Sequence, residues 1–265
     1  MNMNILVCIK QVPDDTVEIH LDSAGQPDLS MADPQGNAFD TYALELAVRH
    51  IEADGGTVTV ASFGPDDNKT CLKNALAVGA AKAYHISDAG LETADASVTA
   101  AVLAAAVTKM EEANGEAFDA ILCGRESTDY ISGEVGEILA EKLGLPFVTN
   151  IVALEEKDGK AVAKKELDAG YLMVEAPLPA VFTVSKPDYD PRYPTIKSKL
   201  AARKVKIPTL GKDDIALSDE DAEPLVLYKK YEEPPKREAG VMIKEDEPAD
   251  AVAKALELMQ ADKAL

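Results

Sequence analysis

Short apolar runs alternate with segments of helical periodicity over the first part of the chain. The apolar runs predict buried strands at residues 5–9, 57–63, 83–86 and 118–123. Apolar residues recur at helical spacing after these strands, which predicts helices at about residues 39–54, 66–78, 95–113 and 131–143, and glycine follows the first, second and fourth of them. Strands and helices that alternate in this way predict a parallel sheet joined by right-handed crossovers.

The second half of the chain has a different pattern. Further strands are predicted at residues 148–154, 160–167, 171–175 and 180–185, and an alternating piece at 17–21 predicts an edge hairpin. Residues 206–244 are rich in proline and charge, so they cannot bury enough surface to fold alone. Pro248 then opens an amphipathic helix. Such an arm favours wrapping around another subunit, and a tail that folds back on its own domain is the alternative.

These patterns together predict an α/β fold. We expect a three-layer α/β/α Rossmann-like parallel sheet with added hairpin strands in residues 1–204, and a C-terminal arm with a helix in residues 205–265. Sheets of this kind bind ligands at the carboxyl ends of their strands. The loops after Cys8, Phe63 and Gly124 should therefore converge on one edge of the sheet.

The loop at residues 124–136 holds the most candidate chemistry. It joins a predicted strand to a predicted helix, where backbone N–H groups can bind an anion. Arg125 could pair with a phosphate, and Ser132 could cap the helix or bond a phosphate oxygen. The sequence has neither the P-loop pattern nor the dinucleotide glycine pattern, so an ordinary capped loop is the alternative. Capping of the first helix by Asn37 or Asp40 is the corresponding alternative there.

Composition excludes several functional classes. The net charge of −20 disfavours binding to nucleic acid or to anionic lipid. No apolar run reaches the length of a membrane span, and the first residues lack a signal-peptide pattern. The three cysteines have no zinc spacing and are typical of a reducing compartment. The three histidines form no triad or metal spacing, so we expect a cytoplasmic protein with no catalytic set and no metal site.

A basic segment interrupts this acidic chain. Residues 186–212 contain eight Lys and Arg residues but only two acidic residues, Asp188 and Asp190. A solvated loop is one interpretation of this reversal of charge. A docking patch for an acidic partner is the other.

Several segments taken together resemble the beta (small) subunits of electron transfer flavoproteins over nearly the whole chain. They are residues 5–13 (ILVCIKQVP), 37–40 (NAFD), 64–65 (GP), 75–80 (ALAVGA), the loop after Gly124, 179–181 (PAV) and 190–196 (DPRYPTI). The resemblance implies an adenine-nucleotide-binding type of sheet. It also implies an alpha subunit as partner, which holds most of the contacts to FAD.

The resemblance further implies that this chain binds AMP, or a second FAD in electron-bifurcating members. Carried over by position, the nucleotide site consists of Cys8, Asn37, Ala38, Phe39, Asp40, Phe63, Gly124, Arg125, Glu126, Ser127, Thr128, Asp129, Tyr130, Ile131, Ser132, Gly133, Glu134 and Val135. Residues 186–204 resemble the loop that docks acyl-CoA dehydrogenase-type electron donors. Its docking residues would be Arg192, Tyr193, Ile196, Lys197 and Lys199, with Ile196 as the apolar anchor.

Three functional hypotheses follow. The first is an electron-carrier subunit without substrate chemistry of its own, which accepts electrons from a dehydrogenase and passes them to a second redox protein. The second is a bifurcating form, whose second FAD takes hydride from NADH. The third is a stand-alone adenine-nucleotide-binding regulator, which would be stable without flavin.

Overall fold

The computed structural model of the chain describes residues 2–91, 93–236 and 239–264. The chain forms two compact units, Met1–Lys230 and Tyr231–Leu265. The strands are β1 (Met3–Cys8), β2 (Gln11–Pro13), β3 (His20–Leu21), β4 (Pro27–Asp28), β5 (Pro34–Gly36), β6 (Gly56–Gly64), β7 (Lys82–Ser87), β8 (Ala120–Gly124), β9 (Phe147–Lys157), β10 (Lys160–Leu167), β11 (Gly170–Pro177), β12 (Ala180–Val184) and β13 (Thr209–Leu210). The α-helices are α1 (Ala38–Asp54), α2 (Lys69–Val78), α3 (Ala96–Asn114), α4 (Val135–Leu143), α5 (Ile196–Arg203) and α6 (Pro248–Ala261).

One nine-stranded sheet organises the first unit, in the order β11-β10-β9-β12-β8-β1-β6-β7-β13. The seven strands β9, β12, β8, β1, β6, β7 and β13 are parallel to one another. Strands β10 and β11 add an antiparallel edge next to β9. The predicted α/β/α parallel sheet with added hairpin strands is confirmed.

Each face of the sheet packs against its own pair of helices. Every residue of β1 is buried, and its side chains alternate between the two faces. Ile5 and Val7 pack with apolar residues of α1 and α2. Leu6 and Cys8 pack with apolar residues of α3 and α4 on the other face. Because both faces are covered, the central strands are continuously apolar, which is why they could be predicted.

The order in which strands are added to the sheet reverses at β1. From β1 the chain runs through β6 to β7, and then returns to place β8 on the other side of β1. The loops that leave β1 and β8 therefore diverge to opposite faces and open a crevice at the carboxyl ends of these strands. Crevices of this kind are the usual ligand sites of open α/β sheets.

Two local predictions need correction, and one helix was not predicted. The helix predicted from Ile131 begins at Val135, and Ile131 lies exposed in the preceding loop. The alternating piece at 17–21 pairs only at His20–Leu21, with Pro27–Asp28. Helix α5 was not predicted, because it is short, polar and buries only Ala202. Its start is capped by Thr195, whose hydroxyl accepts a hydrogen bond from Ser198 N.

Part of the predicted arm packs on the sheet. Strand β13 pairs with β7, and Ile215 is buried in the core on the α3–α4 face. The first compact unit accordingly extends to Lys230. In the second unit, α6 carries an exposed apolar face formed by Val252, Leu256 and Met259. None of the helices in the described residues is both long enough and apolar enough to cross a membrane.

Candidate functional site

A cavity of about 990 Å³ opens at the crevice between β1 and β8. Its wall includes Cys8 and Phe63 at strand ends, Asn37 and Asp40 at the start of α1, and the loop that follows Gly124. The convergence predicted for the three loops is therefore observed. Its volume lies at the upper end of the usual range for small-molecule sites.

Asn37 fixes the loop after β8 in place. Its side chain is 1% exposed, its Nδ2 donates to Glu126 O at 2.8 Å, and its Oδ1 accepts from Thr128 N at 3.1 Å. Both polar atoms thus serve the loop and not the end of α1, so simple helix capping by Asn37 is not what the structure shows. The amide holds two backbone groups of the loop in register.

Asp40 joins the ends of β1 and β8. Its carboxylate accepts hydrogen bonds from Lys10 N at 2.7 Å and from Gly124 N at 2.8 Å. Burial raises the pKa of Asp40 to about 6, although these two backbone bonds act in the opposite direction. The carboxylate therefore joins the ends of β1 and β8 at the wall of the cavity. Its burial disfavours the charged form.

Gly124 allows this close approach. A methyl group at this position would lie 2.7 Å from Phe39 Cβ and 2.8 Å from Asp40 N. Contacts this short do not occur for real Cβ atoms, and backbone cannot yield as a flexible side chain can. Glycine is thus required where β8 meets the first turn of α1.

Lys10 is a site residue that the sequence did not single out. Its Nζ lies 2.6 Å from one carboxylate oxygen of Asp129 and 4.4 Å from the centroid of the Tyr130 ring. It lies 3.5 Å from Ser127 Oγ. Its position could have indicated this role, because Lys10 directly follows the predicted strand at residues 5–9, whose end lies at the crevice.

The loop narrows to a strained turn before α4. Ile131 has φ of 56° and Gly133 has φ of 66°. A positive φ is unusual for a β-branched residue, and strain of this kind concentrates at functional sites. Glu134 is the N-cap residue of α4 and makes no capping hydrogen bond through its side chain to any described residue. Ser132 lies two residues too early to cap the helix, which corrects that prediction.

The first turn of α4 lies in the wall of the cavity. Val135 and Gly136 both line it. The first N–H groups of a helix lack partners within the helix and attract anions. A methyl group at Gly136 would collide with Thr183 Cγ2 of β12, so α4 also needs glycine to sit this close to the sheet.

Arg125 and Glu126 compensate each other's charge. Arg125 Nη2 donates to Glu126 Oε1 at 2.9 Å, and the guanidinium lies 5.0 Å from the centroid of the Phe39 ring. Both residues line the cavity. The repulsion of a bound phosphate by Glu126 is thereby reduced, because its carboxylate already pairs with a cation.

Two thiols lie side by side in the wall of the cavity. Cys8 and Cys123 lie near the ends of neighbouring strands, and both are buried and free of disulfide bonds. A hydrogen bond with Cys8 and burial hold the pKa of the Cys123 thiol well above its usual range. Cys123 is therefore a protonated, structural thiol and not a nucleophile.

Most of the predicted nucleotide-site residues come together at the cavity. Those that line it are Cys8, Asn37, Asp40, Phe63, Gly124, Arg125, Glu126, Ser127, Asp129, Tyr130, Ser132, Gly133, Glu134 and Val135. Ala38, Phe39, Thr128 and Ile131 are outside the lining. Phe39 and Thr128 act indirectly, through the Arg125 guanidinium and through Asn37 respectively.

The opposite wall comes from a segment that the sequence placed in the C-terminal arm. Asp95 is the N-cap of α3, and its carboxylate accepts from Val98 N at 2.9 Å, Leu225 N at 2.8 Å and Val226 N at 2.9 Å. Burial alone would raise the pKa of Asp95, but these backbone bonds outweigh it and lower the pKa. The segment held in this way lines the cavity, and its Tyr228 ring meets Tyr130 edge-on at 5.3 Å.

The predicted docking segment is anchored by Arg192. Its guanidinium and backbone N–H bond to Glu45, whose side chain is 1% exposed, and it also bonds to Glu52. Burial would raise the pKa of Glu45, but hydrogen bonds from Arg192 and Arg49 outweigh it and lower the pKa. Arg192 is thus engaged with α1 of its own domain, and its role in docking stays a prediction.

The other predicted docking residues are exposed. Tyr193 is 93% exposed and Ile196 is 82% exposed. Lys197 and Lys199 are exposed on the same helix as Ile196. The segment therefore presents an apolar side chain within a basic surface. Arg192 holds the start of this segment on α1.

Titration of Asp40 gives a testable pH dependence. Its pKa rises from 3.8 to about 6 on folding, so folding takes up a proton in this window. Stability from this group is complete below about pH 4 and is lost as the pH rises through about 6, by about 3 kcal/mol in all. Urea unfolding of the wild type and of Asp40→Asn at several pH values should show a flatter profile for the variant. Parallel profiles would contradict the assignment.

No metal centre is found in the described residues, where no three His, Cys, Asp or Glu side chains cluster in a way that could hold an ion. His85 is buried, and its Nε2 lies 2.9 Å from Gly64 O and 3.1 Å from Pro65 O. These contacts make it a structural residue that supports the end of β6.

Comparison with known families decides the lineage. The model of the electron transfer flavoprotein domain matches residues 32–215. The chain belongs to the electron transfer flavoprotein family. The matched range includes α1, the loop after β8 and the predicted docking segment, residues 186–204. Membership of this family gives the chain a role in electron transport within a flavoprotein.

Three of its relatives match more than nine tenths of the chain. The beta subunit from Megasphaera elsdenii is 36% identical, over 94% of this chain and 95% of the relative. The beta subunit from Bacillus subtilis is 31% identical, over 98% of both chains. The caffeyl-CoA reductase-Etf complex subunit CarD from Acetobacterium woodii is 34% identical, over 91% of this chain and 92% of the relative.

Proposed function

We propose that this chain is the electron-carrier beta subunit of a heterodimer. With an alpha subunit it would form a FAD-containing protein that accepts electrons from an acyl-CoA dehydrogenase-type donor and passes them to a second redox protein. The chain itself would bind AMP in its cavity. The observation that carries the nucleotide assignment is the loop at residues 124–134, held over the crevice by Asn37 and Asp40.

The residues present fit an adenine nucleotide. The first turn of α4 would offer backbone N–H groups to a phosphate, and Gly133 supplies the positive φ that the loop adopts just before it. The Arg125 guanidinium adds a cation at the same wall, and its Glu126 partner is compensated. The apolar part of the lining, which includes Leu91, Leu225 and Val226, suits the flat faces of a base.

In this function the chain's residues bind and position, and they carry out no substrate chemistry. FAD, when bound, supplies the electron-accepting and electron-donating chemistry and would be held mainly by the alpha subunit. The exposed face of α6 and the apolar residues of the second unit would pack on that subunit. The domain division that we propose is a nucleotide-binding α/β domain and a C-terminal arm that wraps the partner.

The docking segment supports a protein electron donor. Ile196 is an exposed aliphatic side chain at the start of α5, and lysines surround it. Such an anchor gains binding energy by filling an apolar pocket, while the lysines select a partner with an acidic rim. The three buried, unpaired cysteines agree with a reducing, cytoplasmic setting, which we propose as the location.

The size of the cavity favours a second candidate. At about 990 Å³ it exceeds what AMP alone would fill, and its wall continues into apolar residues of α3 and residues 225–228. A second FAD in this chain, oxidising NADH in a bifurcating form, would use that volume. The similarity to CarD, which is named as a subunit of a complex with caffeyl-CoA reductase, is compatible with such an assembly.

Nucleotide release from the purified complex tests both candidates. The chain is co-expressed with its alpha subunit, and nucleotides released by denaturation are identified and counted per heterodimer. One FAD and one AMP support the electron carrier, and two FAD support the bifurcating form. A colourless protein that does not pair with an alpha subunit and carries only an adenine nucleotide would support a stand-alone regulator and overturn our proposal.

A further inference from the structure

Basic side chains line a second cavity, between α2 and α5. Lys69 and Lys73 stand one turn apart on α2, and Lys199 and Arg203 stand one turn apart on α5. Together with Thr70 and Asn74 they line a cavity of about 390 Å³, and no carboxylate is among the lining residues in the part of the chain that the structure describes. We call these six residues the α2–α5 pocket. It shares no lining residue with the cavity at the strand ends.

The charges of the pocket are largely uncompensated. Lys69 is the exception, because its Nζ pairs with Asp66 at 2.6 Å. Lys73 donates to the carbonyl oxygens of Arg203 and Val205, so it ties α2 to the end of α5 without meeting a carboxylate. Lys199 and Arg203 have no acidic partner within residues 2–91, 93–236 and 239–264.

A bound anion would reduce the repulsion among these like charges. Like charges four residues apart on a helix destabilise it, and here two such pairs face each other. The overall charge of −20 leaves many carboxylates elsewhere in the chain, yet the pocket is lined by four cations. The Thr70 hydroxyl and the Asn74 amide add neutral donors to the same wall, which is the mixture that phosphate oxygens accept from.

We propose that the α2–α5 pocket binds a small phosphate-bearing anion with at least two negative charges, such as a pyrophosphate group. Its volume lies within the range of small-molecule sites. The pocket is concave and lies between two helices, which favours a compact ligand over an acidic surface of a partner protein. This site is separate from the proposed AMP site, so either one can exist without the other.

Calorimetry with inorganic pyrophosphate tests the site. The heterodimer, with the nucleotides that it carries, is titrated at low ionic strength, and the double variant Lys199→Gln/Arg203→Gln is titrated in parallel. Loss of two charged hydrogen-bond donors should raise the Kd by tenfold or more, roughly. Orthophosphate should bind more weakly than pyrophosphate, and added salt should weaken both.

The matched control removes two lysines at the far edge of the sheet. Lys157→Gln/Lys160→Gln alters the turn between β9 and β10, at the opposite end of the sheet from β7, and changes the net charge equally. It should bind pyrophosphate as the wild type does. The proposal is overturned if the wild type does not bind pyrophosphate, if the pocket variant keeps the wild-type Kd, or if both variants lose affinity equally. A pocket variant that impairs only docking of a donor protein would also overturn it, in favour of an acidic partner surface.

Discussion

Replacement of Gly124 by alanine should empty the nucleotide site while leaving the fold intact. The added methyl group would lie 2.7 Å from Phe39 Cβ and 2.8 Å from Asp40 N, so either α1 or the end of β8 must move. Overpacking of this kind costs about 1–3 kcal/mol. Because the Gly124 N–H also bonds to Asp40, the loop that Asn37 holds would shift with it. We expect at least a tenfold drop, roughly, in bound AMP or FAD per chain.

A second glycine in the same region provides the control. Gly36 has ordinary contacts for an added methyl group, with the nearest atom, Thr41 Cγ2, at 3.6 Å. Gly36→Ala should retain its nucleotide and unfold within about 0.5 kcal/mol of the wild type. The measurement is the count of nucleotide released on denaturation, together with urea unfolding. Full nucleotide content in Gly124→Ala would show that the crevice between β1 and β8 is not the binding site.

Replacement of Ile196 by glutamate should strongly weaken docking of the electron donor. Ile196 is 82% exposed, so the change costs the chain itself little. If this side chain fills a pocket of the donor, a charge there would lose about 2 kcal/mol or more, which raises the KM for the donor by roughly 30-fold or more. The content of FAD should not change. Steady-state reduction of the flavin by an acyl-CoA dehydrogenase measures the effect.

Two further variants make this result interpretable. Met31 is 81% exposed in the turn between β4 and β5, so Met31→Glu places the same charge on an equally exposed apolar position. It should leave the KM unchanged. Ile196→Leu should behave as the wild type. Equal KM values for Ile196→Glu and the wild type would remove Ile196 from the docking surface.

The regular elements could be predicted because their patterns are complete within short windows. Strand β1 is apolar at every position from Ile5 to Cys8, and Gly79 and Gly144 follow the last residues of α2 and α4. Helix α5 has too few apolar residues for any periodicity to show. Strand β13 is only two residues long and exists because β7 offers it an edge. This strand forms because it pairs with β7, and the local sequence has no pattern that predicts it.

The same distinction holds for the candidate site. The loop after Gly124 was predictable, because the carboxyl end of a central strand is where ligands bind. Asp95 and Leu225 were not, because the hydrogen bond between them joins positions 130 residues apart. Arg192 is predicted as a docking residue from the resemblance of its segment, but its partners Glu45 and Glu52 lie on a helix far away in the chain, so these hydrogen bonds could not be predicted. Charge patterns reveal which residues need partners, and only the fold shows where the partners are.

Helix α1 supports both regions at once. Asp40 near its start holds the end of β8, and Glu45 and Glu52 further along hold Arg192 at the base of the docking segment. From Asp40 to Glu52 the helical rise is about 18 Å, and each residue turns the helix by about 100°. Insertion or deletion of a single residue between them would therefore swing one end away from its contacts. The contacts at the two ends of this helix therefore fix both its length and the direction in which its side chains point. Substitutions that keep the number of residues between Asp40 and Glu52 leave both unchanged.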